Sequence, residues 1–142
     1  MAAIPMVFKG ISEVSLRVRD LQESSAFYRE LFGLEPVDTE PPTAKSRKCR
    51  AGHPLNQDGF SVVLTEGLPP GAAPNVDHFS LEVPTLRDLM SVYSAATERG
   101  VQATEPRMYA GRWQTFLFDP DGYKVEVMTR DSGTAEAGSY GE

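Results

Sequence analysis

Cysteine is almost missing: the 142 residues contain one, Cys49. A single thiol makes no intrachain disulfide and no cysteine-type zinc site, which agrees with a reducing compartment. Positive charge is scarce as well. Fourteen Lys and Arg stand against twenty Asp and Glu, and the net charge of −6 argues against a nucleic-acid partner. The basic cluster Lys45-Ser-Arg47-Lys48-Cys-Arg50 reads as a solvated strand face before it reads as an anion-binding patch. No apolar run approaches the ~20 residues of a membrane span. The opening Met1-Ala-Ala-Ile-Pro-Met-Val-Phe-Lys lacks the basic start and long apolar stretch of an export signal. A cytoplasmic protein with no membrane partner is the expectation.

What is present is a repeat. Shifting the chain by 65 places lays His78-Phe-Ser-Leu-Glu-Val under Glu13-Val-Ser-Leu-Arg-Val and matches Leu21 to Leu86 and Tyr28 to Tyr93. A shift of 63 lays Asp121-Gly122-Tyr123-Lys-Val125-Glu126-Val127 over Asp58-Gly59-Phe60-Ser-Val62-Val63-Leu64. One module is written twice. Either half alone would bury too little apolar surface to be stable, so the halves need each other.

Residues 11–19 alternate, with Val14, Leu16 and Val18 on one face and Glu13, Ser15 and Arg17 on the other, which is a half-buried strand. Asp20 then serves as N-cap, with Glu23 three places on, and apolar residues follow at helical intervals to a stop at Gly33. Strands are expected over Leu34–Glu40, Ala44–Ala51 and Phe60–Thr65. The Gly- and Pro-rich run 67–75 is a linker. The second half repeats the plan: a strand over Val76–Val83, a helix capped by Thr85 and running to Gly100, and strands over Val101–Pro106, Arg112–Phe118 and Tyr123–Thr129. The predicted fold is therefore α+β: two tandem βαβββ modules forming a curved mixed β-sheet cup with the helices outside. Residues 1–9 form an N-terminal extension, 10–66 and 76–130 the modules, and 131–142 a disordered tail.

Strand parity places Glu13, Ser15, Arg17, Ser61, Val63 and Thr65 on the inner face of one sheet, and His78, Ser80, Glu82, Lys124, Glu126 and Met128 on that of the other. The repeat makes Glu13 equivalent to His78, and Val63 equivalent to Glu126. Four related positions converge on one cleft, and three carry groups that bind metals: Glu13, His78 and Glu126. Oxygen and imidazole donors on rigid strands suit a divalent ion (manganese, iron, nickel, zinc or magnesium) with positions left for water or a bidentate substrate.

The run from Glu13 to Leu34, with Asp77-His78 and Phe118-Asp119-Pro120-Asp121-Gly122-Tyr-Lys-Val-Glu126, resembles the vicinal oxygen chelate superfamily. That superfamily includes glyoxalase I, extradiol dioxygenases, methylmalonyl-CoA epimerase, fosfomycin-resistance enzymes and bleomycin-resistance proteins. The resemblance implies metal ligands at Glu13, His78 and Glu126, a catalytic role for Glu13 and Glu126, and chelation of a small-molecule substrate through two neighbouring oxygens. Glu13 is the candidate general base. A homodimer is also implied, with the cup formed within one chain or between two. Val63 stands where glyoxalase I has a fourth ligand, which argues against simple glyoxalase I activity and leaves a second reading open: a metal-free, bleomycin-resistance-type protein that sequesters a flat ligand.

Arg17 and Lys124 could hold a substrate carboxylate, and Ser80, Val63, Tyr109 and Trp113 complete the predicted pocket. His53, in the Gly52-His-Pro54 loop, reads as an exposed loop residue before it reads as an acid or base, and Cys49 as a packed residue before a nucleophile.

Overall fold

The computed structural model describes residues 11–37, 46–51 and 60–133. The N-terminal extension, His53 with its loop, Lys45, and residues 134–142 lie outside the described residues. Ten elements follow in order: β1 (Glu13–Val18), α1 (Leu21–Phe32), β2 (Leu34–Val37), β3 (Ser46–Ala51), β4 (Ser61–Glu66), β5 (Phe79–Glu82), α2 (Leu86–Glu98), β6 (Arg107–Tyr109), β7 (Arg112–Phe118) and β8 (Lys124–Thr129). They form two four-stranded mixed sheets, β1-β4-β3-β2 and β5-β8-β7-β6. The doubling read from the sequence is thus a doubling of topology, helices included.

In β1 the alternation buries Leu16 and Val18 and exposes Glu13, Ser15 and Arg17. Asp20 caps α1 by accepting from Glu23 N at 2.9 Å, and Gly33 ends it in a left-handed conformation (φ 66°) that costs a residue without Cβ nothing. The Thr85 cap of α2 is reciprocal: its hydroxyl accepts from Asp88 N while the Asp88 carboxylate accepts from Thr85 N. Because β1 and β4 run parallel, as do β5 and β8, each helix crosses over one face of its own sheet. The core lies between helix and sheet in each half, built on Leu31, Val62 and Leu64 in the first and Leu89, Val125 and Val127 in the second.

The halves are fastened by the turn between β7 and β8. Tyr28 of α1 is fully buried, and its hydroxyl donates to Asp119 Oδ2 at 2.7 Å. Asp119 Oδ1 accepts from the Asp121 and Tyr123 backbone N–H groups, both at 2.9 Å. Asp121 in turn accepts from Arg19 N, Arg19 Nη1 and Ser24 Oγ, and Tyr123 Oη donates to the Arg17 carbonyl. Burial pushes the Asp119 carboxyl above the ordinary aspartate value, while the donors around it pull the other way. The Tyr28 phenol is pushed well above its ordinary value, by burial first and then by the Asp119 charge.

Two expectations are corrected. The predicted strand over Val101–Pro106 is reduced to an isolated bridge, Ala103 to Leu117, and β6 begins only at Arg107. Thr104 N and Phe118 N still make ladder bonds across this stretch, but Pro106 has no N–H to give, and regular pairing starts after it. The predicted disordered tail begins as packed structure. Asp131 Oδ2 accepts from Leu86 N at 3.0 Å, satisfying a first-turn donor of α2, and Gly133 is buried against Leu86.

Candidate functional site

The polar groups gather on the face of the second sheet turned away from α2. Cross-strand partners share a face, so the pairings Ser80 with Glu126, and Phe116 with Glu126, put three strands' side chains together there. His78 stands just before β5. Its Nε2 lies 3.3 Å from Glu126 Oε2, and its Nδ1 lies 2.5 Å from Asp77 Oδ2. The Glu126 side chain is 2% exposed. Arg112, at the start of β7, brings Nη2 to 3.5 Å from Glu126 Oε1. Phe116 braces the arrangement, with its ring edge-on to His78 at 5.6 Å and the Lys124 ammonium 4.3 Å above it.

This chemistry has a direction. The exposed Asp77 carboxylate takes the Nδ1 proton of His78, and that hydrogen bond, followed by the histidine's charge, holds Asp77 below the ordinary aspartate value. With Nδ1 turned to Asp77, the other ring nitrogen, Nε2, faces the Glu126 carboxylate. Two acceptors facing each other at 3.3 Å need a proton or a cation between them. Two neighbouring ligands that each lie about 2.1 Å from a divalent ion stand about 3 Å apart, so the His78–Glu126 pair fits two positions of a metal shell. Among the described residues, no group of three His, Cys, Asp or Glu forms a complete metal site. Three buried side-chain atoms find no hydrogen-bond partner among the described residues: Glu126 Oε1 and Arg112 Nε on this face, and Trp113 Nε1 on the other.

Of the predicted residues, His78, Ser80, Lys124 and Glu126 share this face. Glu13, Arg17 and Val63 are on the first sheet: Glu13 exposed at the head of β1 beside Ser61, Arg17 exposed near Gly67, and Val63 half-buried between Ser15 and Lys48. Glu13 does not join His78 and Glu126 as a third donor. Trp113 pairs with Thr129, on the opposite face from Glu126, and packs against the core. Tyr109 ends β6, 61% exposed. Arg112 and Phe116 went unnoticed in the sequence; both have the parity of Glu126 once β7 is paired with β8. A cavity of about 1040 Å³ runs along β5 between the modules. Its walls are mainly apolar but include His78, Ser80 and Glu82, whereas Glu126 and Arg112 do not line it.

A family model described as the Glyoxalase/Bleomycin resistance protein/Dioxygenase superfamily matches residues 10–127. A trivalent organoarsenical cleaving enzyme of Bacillus sp. (strain MD1) is 28% identical over 122 residues, covering 82% of this chain and 71% of the relative. An enzyme of the same description from Thermomonospora curvata is 28% identical over 128 residues, covering 86% and 80%. Among solved structures, a glyoxylase/bleomycin resistance protein/dioxygenase domain from Frankia sp. EAN1pec superposes with a TM-score of 0.68 at 25% identity, covering 87% of this chain and 98% of that one.

Proposed function

Because the chain belongs to the glyoxalase/bleomycin resistance protein/dioxygenase superfamily, we propose that it is a divalent-metal-dependent lyase, isomerase or oxygenase acting on a small oxygenated metabolite held through two neighbouring oxygens. Members of this superfamily commonly use divalent metals, bind small molecules and often form dimers. The observation that carries the reading is the approach of His78 Nε2 to the buried Glu126 carboxylate at 3.3 Å, with Asp77 fixing the ring from behind. When bound, the ion supplies Lewis acidity to a substrate oxygen. The chain's own residues do the rest. Asp77 holds the Nδ1 proton so that Nε2 stays available, Phe116 fixes the ring plane, and the buried Glu126 carboxylate lends charge in a setting that water screens weakly.

Glu13 is the third ligand and the general base of this proposal, and it comes from the first sheet of a second copy of the chain. Its exposure at the head of β1 supports that assignment. The substrate of the organoarsenical-cleaving relatives is not carried over to this chain. Trivalent arsenic is a soft centre best held by thiolates, and the one cysteine of this sequence, Cys49, is buried in β3.

One observation favours the metal-free alternative, a binding protein that sequesters a flat ligand: the Arg112 guanidinium already stands beside Glu126. Elemental analysis of the purified protein separates the two readings. The metal-dependent reading expects about one divalent ion per chain, lost on His78→Ala and on Glu13→Gln. Mixing those two variants restores it, because a mixed dimer contains one cup with both residues intact. Full retention of tightly held metal by His78→Ala would reject the ligand assignment.

A further inference from the structure

We propose that Arg112 is the anion-recognising residue of the cup, and that the substrate is a small α-hydroxy carboxylate whose carboxylate pairs with Arg112 while its hydroxyl donates to Glu126 Oε1. The inference rests on reading this face as the substrate site, but not on the ion. Two complementary vacancies in the hydrogen bonding carry it. Among the described residues, the buried Arg112 Nε meets no acceptor and the buried Glu126 Oε1 no hydrogen-bond donor. The two side chains are neighbours, yet Nη2 to Oε1 is 3.5 Å, and neither vacancy is filled by the other. A buried polar group left unmade is costly, and most such groups in folded proteins find partners.

The chemistry of the two atoms defines what would fill them. A guanidinium has donors in a fixed fork and no acceptor, so its partner is an acceptor, best a carboxylate taken through two oxygens. An ionised carboxylate only accepts, so Oε1 needs a donor. A plain carboxylate satisfies Arg112 alone, and a neutral diol satisfies Glu126 alone. A carboxylate with a hydroxyl on the adjacent carbon satisfies both and places two neighbouring oxygens on the same face. The Arg112 side chain is 35% exposed while Glu126 is 2% exposed, so a ligand arrives over the arginine and reaches the buried Oε1 only as that side chain shifts. Lys124, held over the Phe116 ring, adds a second positive charge to the face and favours an anion.

The test titrates EDTA-dialysed protein with glycolate, with glycolamide, which lacks the charge, and with acetate, which lacks the hydroxyl, following amide NMR shifts. Wild type is expected to prefer glycolate to either analogue by roughly tenfold or more. Arg112→Gln should lose that preference and Arg112→Lys keep part of it. Mn(II) binding, measured separately by equilibrium dialysis, should not weaken in Arg112→Gln. Glycolate binding unchanged in Arg112→Gln, equal binding of glycolamide, or no glycolate binding by wild type would each overturn the proposal. If Arg112→Gln proves unstable, the analogue series on wild type and Arg112→Lys decides. Arg112-dependent glycolate binding in a protein that takes up no Mn(II) would support the anion site while removing the metal-dependent reading.

Discussion

Replacing Tyr28 by Phe tests how the two modules are fastened. The substitution keeps the ring, with its edge-to-face contact to Phe27 at 5.1 Å, and removes only the hydroxyl. Asp119 Oδ1 keeps its two backbone donors, but Oδ2 loses the Tyr28 proton in a site where the residue is 5% exposed. A hydrogen bond to a charged group contributes about 1.5–3 kcal/mol, so Tyr28→Phe should cost about 2 kcal/mol at pH 7, or roughly 4–8 °C in Tm for a chain of this size. The cost should depend on pH. Asp119 has a folded-state pKa raised above the ordinary value by burial, so its contribution to stability is fullest below the unfolded value and is lost as pH rises through the raised one. Tyr28 holds that pKa down. Without the hydroxyl it rises further, so the variant is penalised most where Asp119 is ionised. Near pH 3 the penalty should fall to about 1 kcal/mol, that of a neutral bond. Urea unfolding followed by Trp113 fluorescence measures both values. A cost below about 0.5 kcal/mol at pH 7, or one that grows toward acid, would refute the reasoning.

Two further outcomes follow from single contacts. Asp77→Asn removes the carboxylate that takes the Nδ1 proton of His78 and should weaken Mn(II) binding about 10–100-fold. Folding should be unaffected, since the Asp77 side chain is 87% exposed; equal Mn(II) affinity in equilibrium dialysis would show that Asp77 does not orient the ring. Gly133→Ala would place a Cβ 2.4 Å from Leu86 Cδ2 at a residue with φ +62°. Overpacking and the left-handed conformation together should cost about 2–4 kcal/mol. A thermal midpoint equal to wild type would mean that the segment after β8 is not held against α2.

The parts of the fold legible in the sequence were those set by local pattern. Alternation in β1, the caps at Asp20 and Thr85 and the stop at Gly33 all have signals within a few residues. Strand parity put Ser80 and Glu126 on the same inner face, and the pairing of β5 with β8 in the structure sets them side by side. What escaped depends on register or on distant partners. Arg112 and Trp113 are adjacent in sequence, yet one lies with Glu126 and the other with Thr129. Only the pairing of β7 with β8 decides which, because a slip of one residue exchanges the faces. Tyr28 and Asp119 were legible separately, as a helix residue and a turn residue, but their bond joins positions 91 apart, which no local pattern encodes.

The same distinction explains why Glu13 and His78, equivalent by the repeat, do not meet in one chain. A repeat establishes equivalence; proximity requires that the equivalent residues also lie near the axis relating the modules. In this chain the contacts between modules are made elsewhere. Glu30 of α1 lies 4.0 Å from Arg99 at the end of α2, and the β7–β8 turn docks on α1 and the end of β1. The apolar sides of β1 and β5, with Val14 on one and Phe79, Leu81 and Val83 on the other, look into the cavity between the halves. Since side chains alternate along a strand, Val14 and Leu81 leave Glu13 and Glu126 on the opposite faces, and neither acid lines that cavity, although Ser80 and Glu82 of β5 do. In the proposed dimer a second chain supplies Glu13 to the His78–Glu126 face, while the Tyr28–Asp119 bond stays within each chain. For this reason restoration of metal in mixed Glu13→Gln and His78→Ala dimers is a sharper test than either substitution alone: a cup closed within one chain gives no restoration at any mixing ratio.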